Sequence, residues 1–111
     1  QYKATATQIM IQRATLRGMI TYSEVADKLN AAHPGVDFEP HDQRLWELLG
    51  DAARDEANAG RGILSVVVVH KHGDMEPGNG FYELAKYYKR NLSDKQKCFL
   101  EELHRVHEQW S

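Results

Sequence analysis

The chain has one cysteine, Cys98, and so cannot close an internal disulfide, which fits a reducing compartment. It also lacks any apolar run approaching the ~18–20 residues needed to span a bilayer, and no signal-peptide pattern opens it. Gln1 in place of Met points to a processed or excised chain and leaves a removed export signal open. A strong charge of either sign is missing as well, since 14 Lys and Arg face 16 Asp and Glu for a formal net charge of −2. Dedicated nucleic-acid binders are more often basic, so this total weighs mildly against that role, although patches matter more than totals. There is no internal repeat, low-complexity tract or linker, and 111 residues make about one domain. We therefore expect a single cytoplasmic domain over residues 1–111, ending in a helix and without a membrane segment.

What is present is strongest between Arg61 and Tyr82. Ile63 and Leu64 lead into four consecutive valines, Val66 to Val69, a run that suits a strand buried on both faces. Gly73, Pro77, Gly78 and Gly80 follow and require a loop with unusual backbone angles. One buried strand cannot stand alone, so helices must cover it. A first amphipathic helix is expected from Ala4 to Arg17, carrying Ile9, Met10 and Leu16 and stopped by Gly18. Met19 and Ile20 suit a short strand. Thr21-Tyr22-Ser23-Glu24 then reads as a capping box, with Ile20 and Val25 as its hydrophobic staple. Tyr22, Val25, Ala26 and Leu29 share one face of the second helix. Asn30 to Glu39 reads as a loop, and a third helix runs from about His41 to a stop at Gly60, with Leu45, Leu48, Leu49, Ala52 and Ala53 on one face. Phe81, Leu84, Ala85 and Tyr88 predict a short helix to about Lys89. Ser93 is the expected cap of a last helix striped by Phe99, Leu103, Val106 and Trp110. The fold class expected is mainly α with a small β element, in the order of a winged helix-turn-helix domain.

Thr21-Tyr22-Ser23-Glu24-Val25-Ala26 resembles the Thr-Tyr-Gly-Glu-Val/Leu-Ala opening of the helix-turn-helix in O6-alkylguanine-DNA alkyltransferases and alkyltransferase-like proteins. Leu49-Gly50 lies where that family has Val-Gly in its recognition helix, and Val68-Val69 followed by Gly73 resembles the strand after its Pro-Cys-His-Arg motif. The resemblance covers roughly residues 17–80 and implies a winged-helix DNA-binding domain in which the Tyr22 position lies against the DNA backbone. The departures are chemical. Pro-Cys-His-Arg falls on Leu64-Ser65-Val66-Val67, and Glu47 stands where the base-displacing arginine would be, so neither alkyl transfer nor arginine insertion carries over. A looser likeness links the chain to bacterial proteins, some restriction-associated, that share a Thr-Tyr-x-Glu-Leu-Ala opening, a valine-rich strand and a Pro-Gly-x-Gly loop. It implies no chemistry.

Charge divides the candidate surfaces. Between Asp37 and Gly60 stand Asp37, Glu39, Asp42, Glu47, Asp51, Asp55 and Glu56 against Arg44 and Arg54, which opposes approach of phosphates through the third helix. Arg44 is the cation through which that helix would reach a groove. Residues 70–97 hold Lys71, Lys86, Lys89, Arg90, Lys95 and Lys97 against Asp74, Glu76, Glu83 and Asp94, interleaved with Tyr82, Tyr87 and Tyr88, a mixture able to grip phosphates and stack on bases. Gly78-Asn79-Gly80 opening into a helix can present amides to an anion. His104 and His107 are one helical turn apart but have no third ligand, and Cys98 suits a small buried hydrophobe, so neither a metal nor a cofactor is expected. The candidate binding residues are Tyr22, Arg44, Lys71, His72, Gly78, Asn79, Gly80, Tyr82, Lys86 and Lys89. They favour a non-catalytic winged-helix domain that binds DNA or a DNA-processing partner. Two alternatives stand beside it: a protein-interaction module using the acidic third helix, and a small hydrolase or toxin domain using His72 and Asp74.

Overall fold

A computed structural model describes residues 2–70 and 77–111. Five helices enclose a two-stranded parallel sheet: α1 (Tyr2–Thr15), β1 (Ile20–Thr21), α2 (Tyr22–Ala32), α3 (Gln43–Asn58), β2 (Val68–Val69), α4 (Asn79–Tyr87) and α5 (Lys95–Trp110). Ile20 pairs with Val68 and Thr21 with Val69. The mainly α class with a small β element is what the sequence predicts. Buried side chains from all five helices and both strands form one continuous core.

The valine run is buried as expected, but most of it is not strand. Leu64–Val67 form a 3-10 turn with all four side chains inside, and only Val68–Val69 enter the ladder. β1 offers a partner edge two residues long, so the ladder can be no longer. The rest of the run is enclosed by α1, α3 and α5. An unbroken apolar run reports burial and leaves the backbone form open.

Helix ends follow local chemistry, with small corrections. The capping box of α2 is present: Thr21 Oγ1 accepts from the Glu24 amide at 3.2 Å, and the Thr21 amide donates to Glu24 Oε1 at 3.5 Å. α2 runs on to Ala32, past the expected start of the loop at Asn30. Asn30 instead clamps the loop, its side chain bonding both the amide and the carbonyl of Phe38. α1 stops at Thr15, which leaves Leu16 exposed. Asp42 caps α3, and α5 is capped by Asp94 rather than Ser93, whose amide and hydroxyl donate to Asn91 Oδ1. α1, α3 and α4 all end in Schellman motifs, with Arg17, Gly60 and Lys89 at the left-handed position (φ 56°, 89° and 61°). Glycine is the favoured residue there, so two of the three are cations in its place.

One charged side chain organises the C-terminal half. Glu102 is 2% exposed. Its carboxylate accepts from the Ile63 amide at 2.7 Å, from Arg90 Nε at 2.8 Å and from Arg90 Nη2 at 3.2 Å, with Arg105 at 3.4 Å. Burial opposes its ionised form, but Arg90, the Ile63 amide and Arg105 outweigh this and hold the carboxyl below its ordinary value. Beside it, Gln109 accepts from the Gly62 amide at 2.8 Å. α5 thus grips the chain entering the 3-10 turn, and Gly62 is pressed so close that a Cβ would lie 2.9 Å from Val106 Cγ2.

Candidate functional site

β1 delivers Thr21 as the cap of α2, which sets Tyr22 at the first position of that helix, beside the end of β2. There the Tyr22 ring stacks at a 32° tilt on His70, centroids 4.9 Å apart. The Gly78 amide donates to Tyr22 Oη at 3.3 Å. Pro77 makes an antiparallel bridge to Val69, and Gly78 caps α4 with no side-chain acceptor for that helix's first amides. A Cβ at Gly78 would lie 2.7 Å from Tyr22 Oη and 3.4 Å from His70 Nε2, so the close approach requires glycine. Burial raises the Tyr22 pKa, opposed by the Gly78 amide. The phenol therefore keeps its proton at neutral pH and can donate it.

From this corner α4 carries Asn79, Tyr82 and Lys86 at i, i+3 and i+7, one helical face. The Lys95 ammonium sits 5.2 Å from the Tyr82 ring centroid, a cation–π distance. Lys89 follows at the left-handed end of the helix. Lys86, Lys89 and Lys97 make no ion pair with any described residue, whereas Arg90 turns inward to Glu102. Gly80 is exposed with open space where a side chain would stand.

Eight of the ten predicted residues can thus be located. Tyr22, Gly78, Asn79, Gly80, Tyr82, Lys86 and Lys89 lie along the α2 start and α4. Arg44 does not join them: on α3 it is held by Asp42 at 2.6 Å, donates to the Asp37 carbonyl and lies over the Phe38 ring. Lys71 and His72 lie outside the described residues, as do Asp74 and the centre of the glycine loop. Two contributors to the corner stand outside the ten candidate residues, although both belong to the basic stretch 70–97. His70 has no helical or strand spacing to Tyr22, and Lys95, the first residue of α5, reaches Tyr82 across the turn that separates α4 from α5.

Other candidates resolve into structure. His107 Nε2–H donates to the Gly18 carbonyl at 3.0 Å, and among the described residues no group of three His, Cys, Asp or Glu side chains could hold a metal. Cys98 is buried, and burial pushes its thiol up, away from nucleophilic form. Leu64, Ser65, Val66 and Val67, the residues on which the Pro-Cys-His-Arg resemblance falls, are buried in the 3-10 turn. No described helix is long and apolar enough to cross a membrane. No family model, curated protein or solved structure matches the chain.

Proposed function

We propose that this is a non-catalytic, winged-helix-like domain that binds DNA through its phosphate backbone, along α4 and the Tyr22 corner. The observation that carries this reading is the distribution of unpaired cations. Arg44 and Arg54 on α3 are neutralised by Asp42 and Asp51, while Lys86 in the last turn of α4 and Lys89 just past its end make no ion pair with any described residue. Lys89 also occupies a backbone position that favours glycine, a local cost retained where its ammonium extends the basic face. Tyr22 as donor, the first amides of α4 and the lysines are groups that bind phosphate oxygens without reading sequence. The order of elements supports a winged-helix kinship, with Val69–Pro77 closing the loop at the wing's place. Residues 33–42 between α2 and α3 exceed the usual three- to four-residue turn, and α3 packs mainly on α1 and the 3-10 turn. That geometry directs the DNA-binding proposal to α4 and not to α3.

A salt-dependent titration with duplex DNA tests it. Lys86→Ala and Lys89→Ala should weaken binding for every sequence and each lower the salt slope by roughly 0.9. Charge reversal at Glu47 or Asp51 should leave binding unchanged or strengthen it. No binding at ~50 mM salt, where nonspecific attraction is strong, would overturn the proposal. Binding lost in Arg44→Ala with the lysine variants unaffected would move the interface to α3. No alkyl group should transfer to the protein from O6-methylguanine DNA; covalent label on the protein would contradict the non-catalytic reading.

A further inference from the structure

The outer side of α3 bears a feature that DNA binding through α4 leaves unused. Trp46 is 45% exposed, and its ring is held in place by Nε1–H donating to the Pro40 carbonyl at 3.1 Å. Gly50 lies one turn further along the same face, in mid-helix, where glycine weakens a helix relative to alanine. Packing does not require it, because among the described residues nothing beyond the adjoining residues and the helix's own backbone lies within 4 Å of where its Cβ would stand. No described residue therefore fills the space above Gly50, one turn from the indole. Glu47, which accepts from Gln43, follows Trp46 directly, and Glu39 precedes the carbonyl that anchors the indole. Neither acid makes an ion pair with a described residue, while Arg44 and Arg54 are held by Asp42 and Asp51. The face thus offers a fixed indole, open backbone and unneutralised carboxylates.

We propose that this face docks an arginine-rich segment of a protein partner. A guanidinium can stack flat on the Trp46 indole and still donate to Glu47 or Glu39, which a lysine ammonium does with poorer geometry. Gly50 lets the partner's backbone come close to the helix. The indole is held before binding, so little of its freedom is lost on docking, and tryptophan is among the residues that dominate such contacts.

The test is fluorescence anisotropy with labelled octa-arginine, octa-lysine and octa-glutamate peptides. Octa-arginine should bind at least threefold more tightly than octa-lysine, and octa-glutamate should not bind. Trp46→Ala should weaken octa-arginine at least tenfold, and Glu39→Gln with Glu47→Gln several-fold. Gly50→Gln fills the opening with a better helix former, so it should weaken binding about tenfold while the melting temperature holds or rises. Lys86→Ala should leave peptide binding unchanged, which separates this surface from the DNA reading. Octa-arginine binding that ignores Trp46→Ala and Gly50→Gln would overturn the proposal, as would an equal loss in Glu101→Gln on α5, because either shows generic charge attraction. Self-association lost in Trp46→Ala would assign the face to a second copy and overturn it. DNA binding lost in Trp46→Ala would overturn both this proposal and the α4 interface.

Discussion

Glu102 on α5 and Lys89 at the end of α4 show two opposite uses of charge in one small protein. At the Glu102 seam charge is consumed by the fold: the carboxylate is 2% exposed and saturated by Arg90, Arg105 and the Ile63 amide. Along α4 charge is left over: Lys86 and Lys89 find no ionic partner among the described residues, and Lys89 sits at a position better suited to glycine. Arg17 marks the boundary between the two, since it occupies the same left-handed helix end as Lys89 but pairs with Glu108. Charge counts by segment cannot separate these cases. Arg90 belongs by sequence to the basic stretch, and the fold withdraws it from the surface.

The comparison can be broken most sharply at the seam. Glu102→Ala should cost about 3–5 kcal/mol, because it strands a half-buried Arg90 and a buried Ile63 amide. Urea unfolding checks this, and a loss under about 1 kcal/mol would reduce the seam to an ordinary ion pair. The same residue sets an acid limit. Its folded pKa lies below the ordinary 4.5, so its contribution is present above the unfolded value and is lost as pH falls through the folded one. Stability measured from pH 6 down to pH 3 should therefore fall, and Glu102→Gln should flatten that slope.

Gly62→Ala is the next largest effect. The added methyl meets Val106 at 2.9 Å and the Glu102 carboxylate at 3.2 Å, and overpacking of this kind costs about 1–3 kcal/mol. Unchanged thermal unfolding would mean that α5 can shift away, and that the seam is held less tightly than its hydrogen bonds imply.

At the other region, Thr21→Ala should cost about 1 kcal/mol by removing the cap of α2. Because Tyr22 occupies the first turn of that helix, DNA affinity should fall with stability. Equal melting temperatures for mutant and parent would remove the cap's role.

The smallest effect sharpens the contrast best. Arg17→Gly and Lys89→Gly should each stabilise by about 0.5–1 kcal/mol, the relief of a left-handed non-glycine residue less the added freedom of the unfolded chain. Only Lys89→Gly should also weaken DNA binding. Equal binding by both variants would show that Lys89 is not held in place for its charge.

Much of this molecule follows from neighbours close in sequence. The capping box at Thr21, the apolar face of α3, the stop at Gly60 and the acidity of α3 all rest on residues three or four apart, whose relations hold in any helix. The alternation-free run from Ile63 to Val69 determined burial in the same way, but not backbone form. The remaining decisions span long separations. Glu102 carries no signal of burial beside the α5 stripe of Phe99, Leu103, Val106 and Trp110, yet it is buried and holds the Ile63 amide, Arg90 and Arg105. Its burial depends on Ile63, 39 residues away, arriving with an unpaired amide. Tyr22 meets Gly78 across 56 residues only because β1 and β2 pair and aim both helix starts at one corner. Which cations stay exposed was settled likewise: Arg90 reaches Glu102 on α5, whereas Lys86 and Lys89 meet no acid among the described residues. Local patterns determine which face of each helix is apolar; tertiary packing alone decides which polar groups must be satisfied by the fold and which remain for a partner.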